Sequence, residues 1–136
     1  ADPVGELLQA TGRRKDLMKA KPLKHQIDDE MRTFFSPCEP SEATHVELSF
    51  PGPFPSRILP VIRKGNRKGT GCWSWNGDTE KPTLKPSILT HGGIYDKDDN
   101  YVNHVCHCFV NDGIISFLDD CTHEFKGQQI HLLDVD

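Results

Sequence analysis

The chain has 136 residues, of which 35% are hydrophobic and 26% are charged, which suits one compact domain and is too short for two full cores. Its formal net charge of -4 argues against binding nucleic acid through a broadly basic surface. No apolar run approaches the roughly 18 residues of a membrane-spanning helix, so no membrane partner is expected.

Residues 1–35 have the spacing of a helical N-terminal arm. Apolar residues recur at helical intervals on both sides of Pro22, a residue that breaks or starts a helix; they are Leu7, Leu8, Leu17, Met18, Ile27, Met31, Phe34 and Phe35. The segment between Gln9 and His25 is strongly basic. It suits either a solvated helix face or an arm that docks on a partner.

A boundary follows the arm, because Pro37 and Pro40 cannot continue a helix. We take residues 36–43 as a linker and residues 44–136 as a small antiparallel β domain. Alternating apolar residues predict strands at 45–50 and 57–62, a long strand at 101–110 and a last strand at 129–135. Asp112-Gly113 predicts a hairpin turn after the long strand. The predicted fold class is therefore α+β.

Cysteine and histidine cluster near the C-terminus of the chain. Six of them fall between positions 104 and 123, which is typical of a soft-metal site rather than a disulfide framework; they are His104, Cys106, His107, Cys108, Cys121 and His123. The alternative is that the cysteines are small core residues and the histidines are ordinary hydrogen-bonding groups.

Four of these side chains form the predicted ligand pool for zinc, which prefers mixed sulfur and nitrogen ligands: Cys106, His107, Cys121 and His123. Regular strand alternation would place Cys106 and His107 on opposite faces, so both could bind one metal only if a bulge or strand end turned one of them.

Other residues carry weaker signals. Glu80 is either a loop carboxylate or a general acid or base beside a metal-bound water. Trp73 and Trp75 are either core residues or groove walls on the one hand, or a platform for a ligand on the other. No Ser-His-Asp order, P-loop or dinucleotide fingerprint is recognised.

Several spaced blocks, covering roughly residues 71–133, resemble a small family of unknown function. Members are common in phage and prophage genomes and are often mislabelled as ammonia monooxygenase. The blocks that carry the resemblance are Trp73 to Asp78, Glu80 to Leu89, Cys106 to Gly113 and Phe117 to His123, followed by Gly127-Gln128.

The resemblance implies a metal site and a hydrolase role. Some relatives occur in bacterial ubiquitin-like gene clusters, where a set of Cys, Glu, His and His has been proposed to act; by position these are Cys106, Glu80, His107 and His123. Relatives also carry an upstream C-P-x-C knuckle. Because Phe50 and Phe54 stand at its cysteine positions, no second knuckle is expected here.

The sequence thus favours a zinc-binding, phage-type protein. If only three protein ligands bind the zinc, a zinc-activated water would hydrolyse a peptide, isopeptide or ester bond; if four bind, the zinc is structural. The alternative is a non-catalytic phage interaction protein or virion-associated protein with a structural zinc. A protein partner from host or phage is expected, and the expected location is the bacterial host cytoplasm or a virion.

Overall fold

A computed structural model describes residues 17–62 and 71–136. Within these ranges the regular structure is strands and one short 3-10 turn at Pro40–Glu42. The strands are β1 (Ala20–Ile27), β2 (Thr33–Pro37), β3 (His45–Ser49), β4 (Ser56–Pro60), β5 (Ser74–Trp75), β6 (Leu84–Tyr95), β7 (Tyr101–Asn111), β8 (Ile114–Phe117) and β9 (Gln129–His131).

The strands form two sheets that share one hydrophobic core. The first has the order β2-β1-β3-β4 and the second the order β5-β6-β7-β8-β9, and neighbouring strands are antiparallel throughout. Inward side chains alternate along the strands, as the period of two requires. Val46, Leu48 and Leu59 of the first sheet join Ile88 and Ile115 of the second in one buried cluster.

The prediction of an α+β fold with a helical N-terminal arm is wrong for the part of the arm that the structure describes. Residues 20–37 form an antiparallel hairpin, and β1 also pairs with β3 across the predicted linker. The acidic residues between β1 and β2 form a turn: the Asp28 carboxylate accepts hydrogen bonds from the amides of Glu30 and Arg32, and Met31 has a φ of 66°. Leu7 and Leu8 lie outside the described residues, as do Arg13, Arg14 and Lys15 of the basic segment.

Antiparallel β structure after position 44 is confirmed. The strands at His45–Ser49 and Tyr101–Asn111 lie where alternation predicts them. Asp112 and Gly113 have φ values of 55° and 78°, the left-handed conformations that a tight hairpin turn needs. The hairpin signal therefore fixes the register of β7 against β8.

An irregularity interrupts β6 between Leu84 and Ile88. Leu84 pairs with Val110 and Ile88 with Cys108, so three intervening residues on β6 face the single Phe109 on β7. Extra residues of this kind bend a strand and redirect its side chains, and they are frequent beside active sites. Ser87 is the last residue of this bulge.

Truncating Leu48, which is fully buried in the shared core, tests this packing. Leu48→Ala should lower the free energy of unfolding by about 2–5 kcal/mol, because it removes buried methyl groups and leaves a cavity. Leu133→Ala is the matched control, since that side chain is 44% exposed. Equal losses in urea-unfolding measurements would contradict the assigned core.

Candidate active site and adjoining metal-binding group

Three side chains form a hydrogen-bonded relay on the outer face of the second sheet. The Ser87 Oγ lies 2.9 Å from His107 Nε2, and His107 Nδ1 lies 2.8 Å from Asp120 Oδ2. A hydroxyl joined to a histidine that is in turn held by a carboxylate is the arrangement of an activated serine nucleophile. This group is called the triad below.

Ser87 is placed by the bulge in β6 and by Trp73. The Trp73 indole N–H donates to the backbone carbonyl of Ser87, with a donor to acceptor distance of 3.3 Å. Ile88 points into the core, so its neighbours Ser87 and Leu89 lie on the outer face, where Leu89 is 50% exposed. The serine hydroxyl is therefore held at the surface by a strand that is anchored beneath it.

His107 belongs to the outward side of β7. Cys106 and Cys108 on either side of it are buried, and regular alternation turns the imidazole to the opposite face. Its side chain is 24% exposed and that of Asp120 is 56% exposed, so the relay opens to solvent at the carboxylate.

The segment from Leu118 to Thr122 brings Asp120 to His107. It runs beside β7, and the amides of Leu118 and Thr122 donate to the carbonyls of His107 and Val105 over 2.8 and 3.0 Å. Between them the sulfur of Cys121 lies 3.2 Å from both the backbone nitrogen and the backbone oxygen of His107. Asp120 and Cys121 are adjacent, and they point to opposite faces.

On the inner face, Cys106, Cys121 and His123 form a buried group that could hold a metal ion. One ligand atom from each lies within 4.8 Å of the others. His123 Nε2 is buried and has no hydrogen-bond partner in the structure as described. A buried nitrogen of this kind costs free energy unless something satisfies it; a metal ion would do so in the tautomer that carries its proton on Nδ1, which in this structure accepts the Phe125 amide N–H.

The chemistry of the thiols agrees with metal ligation. A hydrogen bond from Cys108, with smaller contributions from His123 and Cys121, lowers the pKa of Cys106 to about 6. The hydrogen bond with Cys106, followed by burial, raises the pKa of Cys108, and burial raises that of Cys121. Cys106 is thus the first thiol to become the thiolate that a metal binds.

The structure brings together three of the four predicted metal ligands: Cys106, Cys121 and His123. The fourth, His107, lies on the other face, in the triad. The predicted acid or base Glu80 is exposed in the loop before β6, and its carbonyl lies near Gly113 at the β7–β8 turn. That turn is seven residues along the chain from Cys106.

Sequence reasoning missed Ser87 and Asp120. Both lie inside blocks that carry the family resemblance, Ser87 in Lys85-Pro86-Ser87-Ile88 and Asp120 beside Cys121. The expectation that no Ser-His-Asp set is present is wrong, because this set carries no local sequence signature. In this fold, the three residues are 20 and 13 positions apart and meet only through strand pairing.

A cavity of about 320 Å³ is lined by residues close in sequence to Ser87 and His107, although no triad residue lines it. Its lining includes Lys85, Phe109, Asn111 and Ser116. Lys85 precedes Ser87 by two residues, and Phe109 follows His107 by two, so these side chains continue the face on which the triad lies. The cavity can receive one side of a substrate that crosses Ser87.

A strand-built site with a serine, histidine and aspartate relay defines a serine hydrolase geometry. Residues 12–118 match the model of the family described as bacterial ubiquitination-like system serine protease (BubE). Because this match spans most of the chain, the protein belongs to that family. No curated protein and no solved structure matches the chain.

Family membership corrects the functional prediction. A family of serine proteases contradicts both the zinc-activated water and the alternative of a non-catalytic phage or virion-associated protein. The bacterial ubiquitination-like setting agrees with the gene clusters implied by the resemblance. In the described ranges, no helix is long and apolar enough to cross a membrane.

The Thr122 hydroxyl offers a test of how the Leu118–Thr122 segment is held. Its Oγ1 accepts a hydrogen bond from the Val105 amide over 2.9 Å and lies 3.2 Å from His104 Nδ1. Thr122→Val should cost about 1 kcal/mol of unfolding free energy, because the Val105 amide loses its partner. Thr122→Ser should cost much less. Equal effects of the two variants on thermal unfolding would show that the hydroxyl does not hold the segment.

Proposed function

We propose that the protein is a serine peptidase of a bacterial ubiquitination-like system, with Ser87 as nucleophile, His107 as general base and acid, and Asp120 as the group that orients His107. The observation that carries the proposal is the continuous relay, with distances of 2.9 Å from Ser87 to His107 and 2.8 Å from His107 to Asp120. The matched family, whose description names a serine protease, supports the same chemistry.

The relay gives a two-step hydrolysis. The Ser87 Oγ attacks the scissile carbonyl while His107 Nε2 takes its proton, and the protonated imidazole then gives that proton to the leaving amine. The acyl group remains on Ser87 as an ester. A water molecule then attacks the ester carbonyl while His107 takes its proton, and the protonated His107 returns that proton to the departing Ser87 oxygen. Asp120 stabilises the imidazolium in both steps.

The expected substrate is a peptide or isopeptide bond made by a ubiquitin-like modifier of that system. This class follows from the family description and from a nucleophile on an open sheet face that an extended chain can cross. The protein partner expected from the sequence is then the modifier or its conjugate. Glu80 has no part in this chemistry, because it lies in the exposed loop near Gly113.

We further propose that Cys106, Cys121 and His123 hold zinc, with Cys108 as the nearest additional thiol. Sulfur and nitrogen donors favour this ion, and the unsatisfied His123 Nε2 fits a ligand position. When bound, zinc would link β7 to the segment that carries Asp120. Its contribution is to hold His107 and Asp120 in register, on the face opposite to the nucleophile.

Replacing triad residues tests the peptidase. Ser87→Ala and His107→Ala should each lower peptide hydrolysis by at least about a thousandfold, and Ser87→Ala should abolish labelling by a fluorophosphonate. Asp120→Asn should also lose most activity, because the amide cannot stabilise the imidazolium. Ser74→Ala, on the exposed edge strand β5, is the control. Full labelling of the Ser87→Ala protein would contradict the assignment.

Elemental analysis tests the metal. Protein purified without chelator should carry about one zinc per chain, which Cys106→Ser, Cys121→Ser and His123→Ala should each abolish. Cys38→Ser and Cys72→Ser should leave it unchanged, because those cysteines lie outside the group. Ser87→Ala should also retain zinc, since the two sites lie on opposite faces. Loss of zinc from Ser87→Ala, or its retention in His123→Ala, would contradict the arrangement.

A further inference from the structure

Along most of β6, the edge that faces away from β7 has no strand partner among the described residues, and this edge passes Ser87. Its outer neighbour β5 pairs only with Leu84 and Lys85, whereas β6 continues to Tyr95. Among the residues that the structure describes, no strand covers the edge of β6 from Leu89 to Gly93. Proteins normally block a long unpaired edge, because it is a template for pairing with another chain.

The backbone groups on this edge can be assigned from β7. The carbonyls of Val105 and His107 accept hydrogen bonds from the Leu118–Thr122 segment, so odd-numbered residues of β7 direct their backbone groups away from β6. Even-numbered residues of β7 therefore bond to β6, and Cys106 is opposite Thr90. It follows that Leu89, His91 and Gly93 direct their N–H and C=O groups to the open edge.

The Ser87 carbonyl agrees with this assignment. It points to the same edge, where it accepts the Trp73 indole N–H. The edge is thus occupied by Trp73 at Ser87, and from Leu89 onward none of the strands that the structure describes pairs with it. Because Trp73 occupies the edge at Ser87, a chain that lies along Leu89 to Gly93 has to turn away from the edge at this point. The Ser87 hydroxyl lies on the outer face of the sheet beside that turn.

We propose that the substrate segment preceding the scissile bond binds as an added antiparallel strand along Leu89 to Gly93 of β6. The inference rests on the proposed peptidase function and names how that site holds its substrate. Strand addition of this kind gives affinity through main-chain hydrogen bonds. It requires an extended, unfolded tail, which a folded modifier can present only at a terminus.

The antiparallel direction settles which part of the substrate lies on the edge. Antiparallel pairing is the more stable arrangement, and both neighbours of β6 already adopt it. A strand antiparallel to β6 runs from Gly93 toward Leu89 and reaches Ser87 with its C-terminal end. The residues after the scissile bond then lie toward Lys85 and Phe109, in the 320 Å³ cavity.

Peptide boronates test the pairing without altering the protein. The probe is acetyl-tetraalanyl-boroglycine, whose boron bonds to the serine oxygen, together with a series in which single backbone amides are N-methylated. Methylation of alternate amides should weaken inhibition by about tenfold, because each removes a main-chain hydrogen bond. Methylation of the intervening amides should have little effect. A uniform response along the peptide would overturn the inference.

Amide exchange gives a second readout that does not depend on turnover. Bound boronate should slow exchange of the Leu89 and His91 amides and leave Thr90, already paired to Cys106, unchanged. If a fluorophosphonate labels Ser87 but boronate protects neither amide, the edge is not the substrate site and the peptidase proposal stands. If Ser87 is not labelled, the peptidase proposal and the edge both fail.

Discussion

The alternation of side chains along β7 is the constraint on which the site depends. Because Cys106 is buried and its neighbour His107 turns outward, one strand supplies a thiol to the inner face and an imidazole to the outer face. The neighbouring segment repeats the pattern with Asp120 and Cys121. Two adjacent pairs of residues thus contribute to the candidate metal-binding group on one face and to the triad on the other.

Because the triad and the candidate metal-binding group share these two backbone segments, a change in one site would move residues of the other. The Cys121 sulfur accepts the His107 N–H and, as a thiol, donates to the His107 carbonyl, which the Leu118 amide also reaches. A metal that binds Cys106 and Cys121 would make Cys121 a thiolate, which keeps the bond from the His107 N–H and loses the bond to the carbonyl. It would hold the backbone of His107 beside the segment that carries Asp120, so metal loss would lower activity through geometry while leaving the nucleophile in place.

The sequence indicated the strands after position 44 because alternation and turn residues are local signals. His45–Ser49, Tyr101–Asn111 and the turn at Asp112 and Gly113 illustrate this. The prediction of a helix where the N-terminal hairpin lies is wrong, because the spacing of Ile27, Met31 and Phe34 fits a helix as well as it fits strands. Only the carboxylate-bonded turn at Asp28 and the pairing of β1 with β3 decide between the two structures.

Part of the candidate site could be predicted from the sequence, again because the signals for that part are local. The cysteines and His123 are close in sequence, and alternation already predicted that His107 faces away from Cys106. Ser87 meets His107 only through the register of β6 and β7, and its hydroxyl is aimed by a bulge. No spacing of residues along the sequence encodes this contact between Ser87 and His107. In the sequence, Ser87 is marked only by its position within one of the blocks that carry the family resemblance.

A crystal structure of the zinc-loaded protein after reaction with diisopropyl fluorophosphate tests the central claim most directly. The account predicts phosphorus on Ser87 Oγ beside His107, with zinc bound by Cys106, Cys121 and His123 on the opposite face of the sheet. Zinc ligated by His107, or an unmodified Ser87 with phosphorus elsewhere, would contradict the division of the two chemistries between the faces.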